Sequence, residues 1–299
     1  MHPIFFLLIA TILWGLNFHL AKVMLAQVNF VEAGFWRYLF GVGFLVILQW
    51  RNKEAWPGRA FRQGPKGVLL VGLIGLFAFN LLFFLGLQFT TALNAALIVS
   101  LNPVLTMLFA RWLLGQPINN GQKLGMFVAV MGVLFLLSKG QVANLLTLAW
   151  SKGDLLIIGA NIVFSLQNIW VRKYGSAFPN ISFTLATNAL CLLGFILLLP
   201  FVGEPGIQGG DLQFWLAVFG IGILGTGLAY LLWNEGIKRR GAHEAGLFMN
   251  VVPLAAALFA VFFGEHLHLY HLTSGGIIMM GVLYFQRAGK KNSSKKLNL

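Results

Sequence analysis

Gly86-Leu87-Gln88-Phe89-Thr90-Thr91-Ala92-Leu93-Asn94-Ala95-Ala96-Leu97 stands 150 residues ahead of Gly236-Ile237-Lys238-Arg239-Arg240-Gly241-Ala242-His243-Glu244-Ala245-Gly246-Leu247, and Gly86, Ala92, Ala95 and Leu97 recur in place. The same offset sets Pro103 over Pro253 and Leu108-Phe109-Ala110 over Leu258-Phe259-Ala260. After a one-residue slip, Met131-Gly132-Val133-Leu134 falls on Met280-Gly281-Val282-Leu283. Leucine matches in a leucine-rich chain carry little weight. Shared glycine and proline positions mark backbone geometry, so an internal duplication is expected.

The surroundings of this repeat belong in lipid. Of the 299 residues, 58% are hydrophobic and 10% charged, with a mean hydropathy of +0.81, whereas a soluble domain carries about a quarter charged residues. Apolar stretches fall near 4–25, 31–50, 67–88, 91–114, 121–138, 153–172, 182–201, 212–236, 243–264 and 270–287. Each is about the length that crosses a bilayer as helix, the economical form where lipid offers no backbone partner. The expected fold is therefore an all-α membrane protein of ten transmembrane helices. The halves are 1–140 and 141–289, with 290–299 as a basic cytoplasmic tail. Five spans per half is an odd number, so the second half enters the membrane upside down. Two inverted five-helix repeats around a central cavity let a midplane site face either compartment in turn, which points to a transporter.

The net charge of +13 is not a nucleic-acid signature, because the cations lie between the apolar stretches. Segments 51–66, 111–123, 172–173, 238–240 and 287–296 hold 17 of the 21 Lys and Arg, and alternate loops hold only Lys139 and Lys152. By the positive-inside rule both termini face the cytoplasm, in a bacterial inner membrane. Met1-His2-Pro3 runs directly into Ile4-Phe5-Phe6-Leu7, so an uncleaved first helix is expected. Lys290-Lys291-Asn292-Ser293-Ser294-Lys295-Lys296 is expected to be a disordered anchor on anionic lipid. A single cysteine, Cys191, rules out an intrachain disulfide.

Leu13-Trp14-Gly15-Leu16-Asn17-Phe18 with Lys22, then Phe35-Trp36-Arg37-Tyr38, then Leu85 to Leu97 running into Asn102-Pro103, together resemble the EamA branch of the drug/metabolite transporter superfamily. The resemblance covers the whole chain as two repeats. It implies a ten-helix bundle whose cavity is lined mainly by spans 1, 3, 4, 6, 8 and 9, in an exporter of amino acids or other small metabolites. The second repeat departs from the pattern, with Phe164-Ser165-Leu166-Gln167 where the first has Trp14-Gly15-Leu16-Asn17.

Polar groups deep in a bilayer are costly and face a cavity or another helix. Counted inward from the span ends, Asn17, His19, Asn80, Ser100, Asn102, Asn161, Gln167, Tyr230 and Asn250 qualify. Amides that tie helices together account for any one of them; nine on the six implied cavity spans also read as a substrate site. Trp14, Phe79, Phe83, Trp170 and Trp233 would add flat apolar walls, against the plainer reading of packing or an interfacial belt. Pro103 and Pro253 free the carbonyls of Val99 and Met249, four residues earlier. They read as a pair of gating kinks, or as static kinks satisfied by neighbouring hydroxyls.

The acids Glu32, Glu54, Asp154, Glu204, Asp211, Glu235, Glu244 and Glu265 all fall in loops or near span ends. A midplane carboxylate that exchanges proton for cation is missing, which leaves facilitated diffusion or weak coupling through His19. Lys22 and Arg37 are expected nearer the outer face, snorkelling or paired with Glu32. His266, His268 and His271 read as a solvated turn rather than a metal site. No cofactor, resident metal or catalytic residue is expected. The expected partners are a small-molecule substrate and membrane lipids, with the chain a monomer. A lipid or lipid-carrier flippase is the alternative. A membrane-embedded enzyme would need a nucleophile with its base, or a metal motif, that the sequence lacks. A sensor or scaffold would need domains that the short loops exclude.

Overall fold

The computed structural model describes residues 3–53, 57–115, 118–141, 151–202, 210–240, 245–246 and 248–297. Among them every regular element is helical. In chain order the α-helices are α1 (Pro3–Leu25), α2 (Phe30–Asn52), α3 (Gly58–Gln63), α4 (Pro65–Leu69), α5 (Phe79–Leu87), α6 (Ala92–Val99), α7 (Asn102–Leu114), α8 (Asn120–Leu137), α9 (Lys152–Tyr174), α10 (Asn180–Leu198), α11 (Leu212–Phe219), α12 (Ala229–Arg240), α13 (Val251–Phe262) and α14 (Leu269–Leu297). Two π-helical segments, Leu70–Ala78 and Gly220–Leu228, join α4 to α5 and α11 to α12.

Local chemistry sets the ends. Asn29 and Glu32 form a capping box ahead of α2, and Asn119 and Gln122 form one ahead of α8, each satisfying backbone donors the helix leaves open. Gly115 closes α7 in the left-handed region at φ 66°, where a Cβ would be strained.

Among the described residues, eight helices are long and apolar enough to cross a membrane. The ninth expected stretch, 243–264, holds a shorter apolar helix, Val251–Phe262, because the backbone turns at Met249–Asn250. The tenth lies in α14, 29 residues long, where His271, Thr273 and Ser274 dilute the apolar run. The tail expected to be disordered continues α14 to Leu297 instead. Asn298 and Leu299 lie outside the described residues, as do 142–150 next to the expected junction of the halves. Trp50, Trp112, Phe201 and Phe262 are about four-fifths exposed (80, 79, 82 and 78%), a surface made for lipid rather than water. The molecule is a multi-pass membrane protein.

Packing repeats with the period of the sequence. The two π segments start 150 residues apart, at Leu70 and Gly220. Helix α1 packs on α12, α13 and the second π segment, while α9 packs on α5, α7 and the first. At the contacts, Gly72 meets Leu190 and the Thr187 carbonyl, and Gly222 meets Phe40 and the Arg37 carbonyl. Gly86 meets Ile157, and Gly236 meets Leu7. Each pair becomes the other under a shift of 150 residues, and each joins one half to the other. Helices α8 and α14 cross where Gly125, Gly132 and Gly281 leave no room for a Cβ against opposing backbone, the small-residue contact that substitutes for a hydrophobic driving force in lipid.

Candidate functional site

Trp14, Asn17 and Phe18 of α1, Arg37 of α2, Phe79 and Phe83 of α5, Val99 of α6, Phe164 of α9, Tyr230 of α12, and Met249 with Val252 at the start of α13 enclose a small cavity. All six spans implied by the resemblance contribute, and α2 adds Arg37. The cavity measures about 30 Å³, room for one or two waters. At that size a metabolite fits only if the surrounding side chains or helices move.

The wall is a set of rings. Trp14 meets Phe164 edge-on at 5.7 Å, Tyr230 at 5.4 Å and Trp233 at 4.9 Å. Phe79 lies 5.0 Å from Phe164 and 5.8 Å from Phe83, which meets Phe18 at 5.2 Å. Trp14 and Phe164 occupy equivalent repeat positions, 150 residues apart, so the halves touch through these two rings. The π segment fixes the polar edge: Trp14 Nε1 and Asn17 Nδ2 both donate to the Gly225 carbonyl, at 3.1 and 3.3 Å. Such π-helical segments, with their i→i+5 bonding, are frequent at functional sites.

Arg37 is only 3% exposed. Its Nε donates to Thr226 Oγ1 at 2.7 Å, and Thr226 in turn donates to the Ile221 carbonyl, five residues back in the π segment. The guanidinium carbon lies 5.8 Å from the Tyr38 ring, 5.9 Å from Phe83 and 5.8 Å from Phe84. The expected snorkelling is thus corrected, since the head group is buried. Glu32 serves the Asn29 capping box one to two turns earlier, and the π segment draws Arg37 inward.

The remaining candidates sit around this wall rather than on it. Asn80 donates to the Tyr38 hydroxyl at 2.6 Å and to the Leu76 carbonyl. Asn102 donates to Asn161 Oδ1 at 3.0 Å and Ser165 Oγ at 2.8 Å, and accepts from Asn168 at 2.9 Å. Asn161 donates to the Ile98 carbonyl, and Trp233 Nε1 reaches Asn168 at 3.3 Å. This is a satisfied network between α6–α7 and α9, helix glue by its geometry. Ser100 is buried and donates to the Leu97 carbonyl. Gln167 lies against Gly75, the counterpart of Asn17 against Gly225. Asn250 makes a long 3.5 Å contact to Gln286. His19 faces Ala256 and Glu265, away from the ring wall.

Pro103 and Pro253 sit in the first turn of α7 and of α13, just after the backbone turns at Ser100–Leu101 and Met249–Asn250. The expected kinks are therefore interruptions of the helix. Val99 and Met249, four residues before the prolines, both line the cavity, and the Met249 carbonyl accepts from the Val252 amide at 3.2 Å. His271 corrects the solvated-turn reading: it is buried, accepts from the His268 amide on Nδ1, and pairs through Nε2 with Asn94 Oδ1 at 3.1 Å.

Sequence reasoning missed Phe18, Phe164, Val252 and Thr226 as parts of the site. Phe164 was within reach through its position opposite Trp14 in the repeat. Arg37 carried the intramembrane-charge signal, but its depth was misread.

Comparison with known proteins agrees with this architecture. The EamA-like transporter family matches residues 1–138 and again 151–286. "Uncharacterized transporter YyaM" of Bacillus subtilis is 30% identical over 91% of this chain and 90% of its own. A "Probable biotin transporter" of Pseudomonas aeruginosa is 28% identical over 96% and 98%. The "Aromatic amino acid exporter YddG" of Ancylobacter novellus is 26% identical over 75% and 71%. A crystal structure with 19% identity superposes with a TM-score of 0.69, covering 94% of this chain and 95% of that one. With a double match over most of its length and relatives that are themselves transporters, the chain belongs to the EamA-like transporter family.

Proposed function

We propose that this chain is an inner-membrane exporter of a small organic metabolite of amino-acid size, working by alternating access, with ten spans arranged as two inverted five-helix repeats and both termini in the cytoplasm. The observation that carries the reading is the exchange of contacts under the 150-residue shift, which converges on the cavity through Trp14 and Phe164. Two halves joined by equivalent contacts can rock about them, and the interruptions at Ser100–Leu101 and Met249–Asn250 supply flexible points beside the cavity.

The ring wall suits a flat or apolar body. Relatives named for aromatic amino acids and for biotin handle cargo of that kind. The substrate residues are Trp14, Asn17, Phe79, Phe83 and Tyr230, with His19, Asn80, Ser100, Asn102, Asn161, Gln167, Trp233 and Asn250 behind them, and Pro103 and Pro253 as gating points. Counterflow in proteoliposomes against a panel of amino acids and nucleosides tests this. Saturable exchange of at least one compound, lost in Trp14→Ala at normal folded yield, is expected. Flux that is unsaturable, or unchanged by Trp14→Ala, overturns the reading.

A further inference from the structure

We infer that Arg37 is an anion seat, and that the substrate carries a carboxylate docked on its guanidinium with the apolar body against the rings of Trp14, Phe79 and Phe83. The inference rests on the transport reading above and narrows its substrate class to organic carboxylates.

A guanidinium removed from water needs anionic or multiple hydrogen-bond partners. Arg37 is 3% exposed; the ion pairs His19–Glu265 and Arg239–Glu235 do not reach it, and its Nε goes to a neutral hydroxyl. Thr226 takes one of the five N–H donors. Three ring faces stand near the outer limit of cation–π range. The charge lines the cavity, and no acidic residue shares that wall. Such a site is short of one negative charge, and a carboxylate accepting two parallel N–H bonds from the fork supplies it. Thr226 is the positioning residue: its hydroxyl is pinned to the Ile221 carbonyl and orients Nε, which turns the remaining edge of the fork to other acceptors. The wall offers no carboxylate to an ammonium, so a monocarboxylate is favoured over the matching zwitterion, and an amine without a carboxylate is rejected.

The test uses the purified full chain in detergent at constant ionic strength, with 3-phenylpropionate, L-phenylalanine, phenethylamine, 3-phenylpropionamide and chloride as probes of thermal unfolding and of competition for labelled 3-phenylpropionate. Expected is stabilisation by 3-phenylpropionate, less by phenylalanine, and none by the amine, the amide or chloride. Arg37→Gln should weaken 3-phenylpropionate binding by about 10- to 100-fold, the worth of a charged hydrogen-bond pair, without lowering the unfolding temperature of the ligand-free protein. Arg37→Lys should recover part of the affinity. Should Arg37→Gln fail to fold, Thr226→Val keeps the charge and is expected to weaken the carboxylate while leaving the amide unchanged. Equal stabilisation by the amide, the amine or chloride overturns the seat, as does undiminished binding in Arg37→Gln or no binding of any carboxylate. Transport of the amino-acid panel with no carboxylate preference removes the seat and leaves the transport reading standing. Carboxylate binding without any flux does the reverse.

Discussion

His19 Nδ1 faces Glu265 Oε1 at 3.5 Å while its Nε2 meets the Ala256 carbonyl at 2.8 Å. A carbonyl only accepts, so Nε2 carries a hydrogen. A neutral ring then turns a lone pair toward the carboxylate, and the contact is attractive only when a second proton sits between the two groups. The same carboxylate accepts from the Ala92 and Leu93 amides at 3.2 and 3.3 Å, capping α6. Glu265 thus ties the start of α6 to α1, and Lys22 adds a further positive charge nearby.

Burial pushes the Glu265 carboxyl up, but the His19 ring and the two backbone amides outweigh it and hold the group below its usual range. A depressed folded value means stability that is present above the ordinary carboxylate pKa and is lost as pH falls through the folded one. Glu265→Gln should therefore lower the unfolding temperature at neutral pH, and the gap from the native chain should close below about pH 4. A gap that stays constant down to the acid limit of the fold contradicts the tether.

Gly225 tests the π segment. A Cβ there would overlap the Asn17 amide, and a Cβ on Gly75 would press on the Gln167 side chain. Gly225→Ala is expected to destabilise by about 1–3 kcal/mol, the usual cost of overpacking. The second change Asn17→Ala should restore part of that loss, because the two residues contact each other directly. Unfolding in detergent measures both. Strict additivity of the two changes would show that the close approach is not what matters.

Much of this was legible beforehand, for identifiable reasons. Helix needs only a continuous apolar run, and the 150-residue offset needed only Gly86, Pro103 and their partners. Trp14, Asn17, Phe79, Phe83 and Tyr230, which line the cavity, stood out in the sequence as deep polar or aromatic side chains, the polar ones costly to leave in lipid. Position along a helix does not say which neighbour a side chain meets. Arg37 stands near the start of α2, but Thr226 in a π segment decides its direction, and the only local sign of that segment is its glycine content. Asn102 and His271 could not be given partners for a related reason: an amide or imidazole that binds substrate and one that ties helices look alike until the partner, Asn161 or Asn94, is in place.

Asn102 shows how the two roles separate. Its amide serves Asn161, Ser165 and Asn168 at once, so Asn102→Ala leaves buried donors and acceptors open and should cost about 1–3 kcal/mol. Transport should fall only in proportion to folded protein. Tyr230→Phe, on the cavity wall itself and buried, should cost about 0.5–1.5 kcal/mol, the worth of one hydrogen bond, yet alter apparent substrate affinity by more than the loss of folded protein explains. Loss of flux in well-folded Asn102→Ala would return Asn102 to the substrate site.

Pro103 and Pro253 provide the last test, because each follows a break in its helix by a few residues. Proline cannot donate to the carbonyl four residues earlier, and its ring crowds that turn. Val99 therefore loses the donor that residue 103 would otherwise supply, and the Met249 carbonyl accepts from the Val252 amide at 3.2 Å instead, a tighter turn at the cavity edge. Alanine restores a donor at each place and lets α6 run into α7, or the turn at Met249–Asn250 run into α13. Helix propensity then favours alanine by up to about 3 kcal/mol, so Pro103→Ala and Pro253→Ala should unfold at the same or a higher temperature than the native chain. If the breaks are where the halves flex, each variant should transport several-fold more slowly, and the double variant more slowly still. Native flux in a stabilised double variant would mean that the bundle opens elsewhere and that these prolines only shape a static wall.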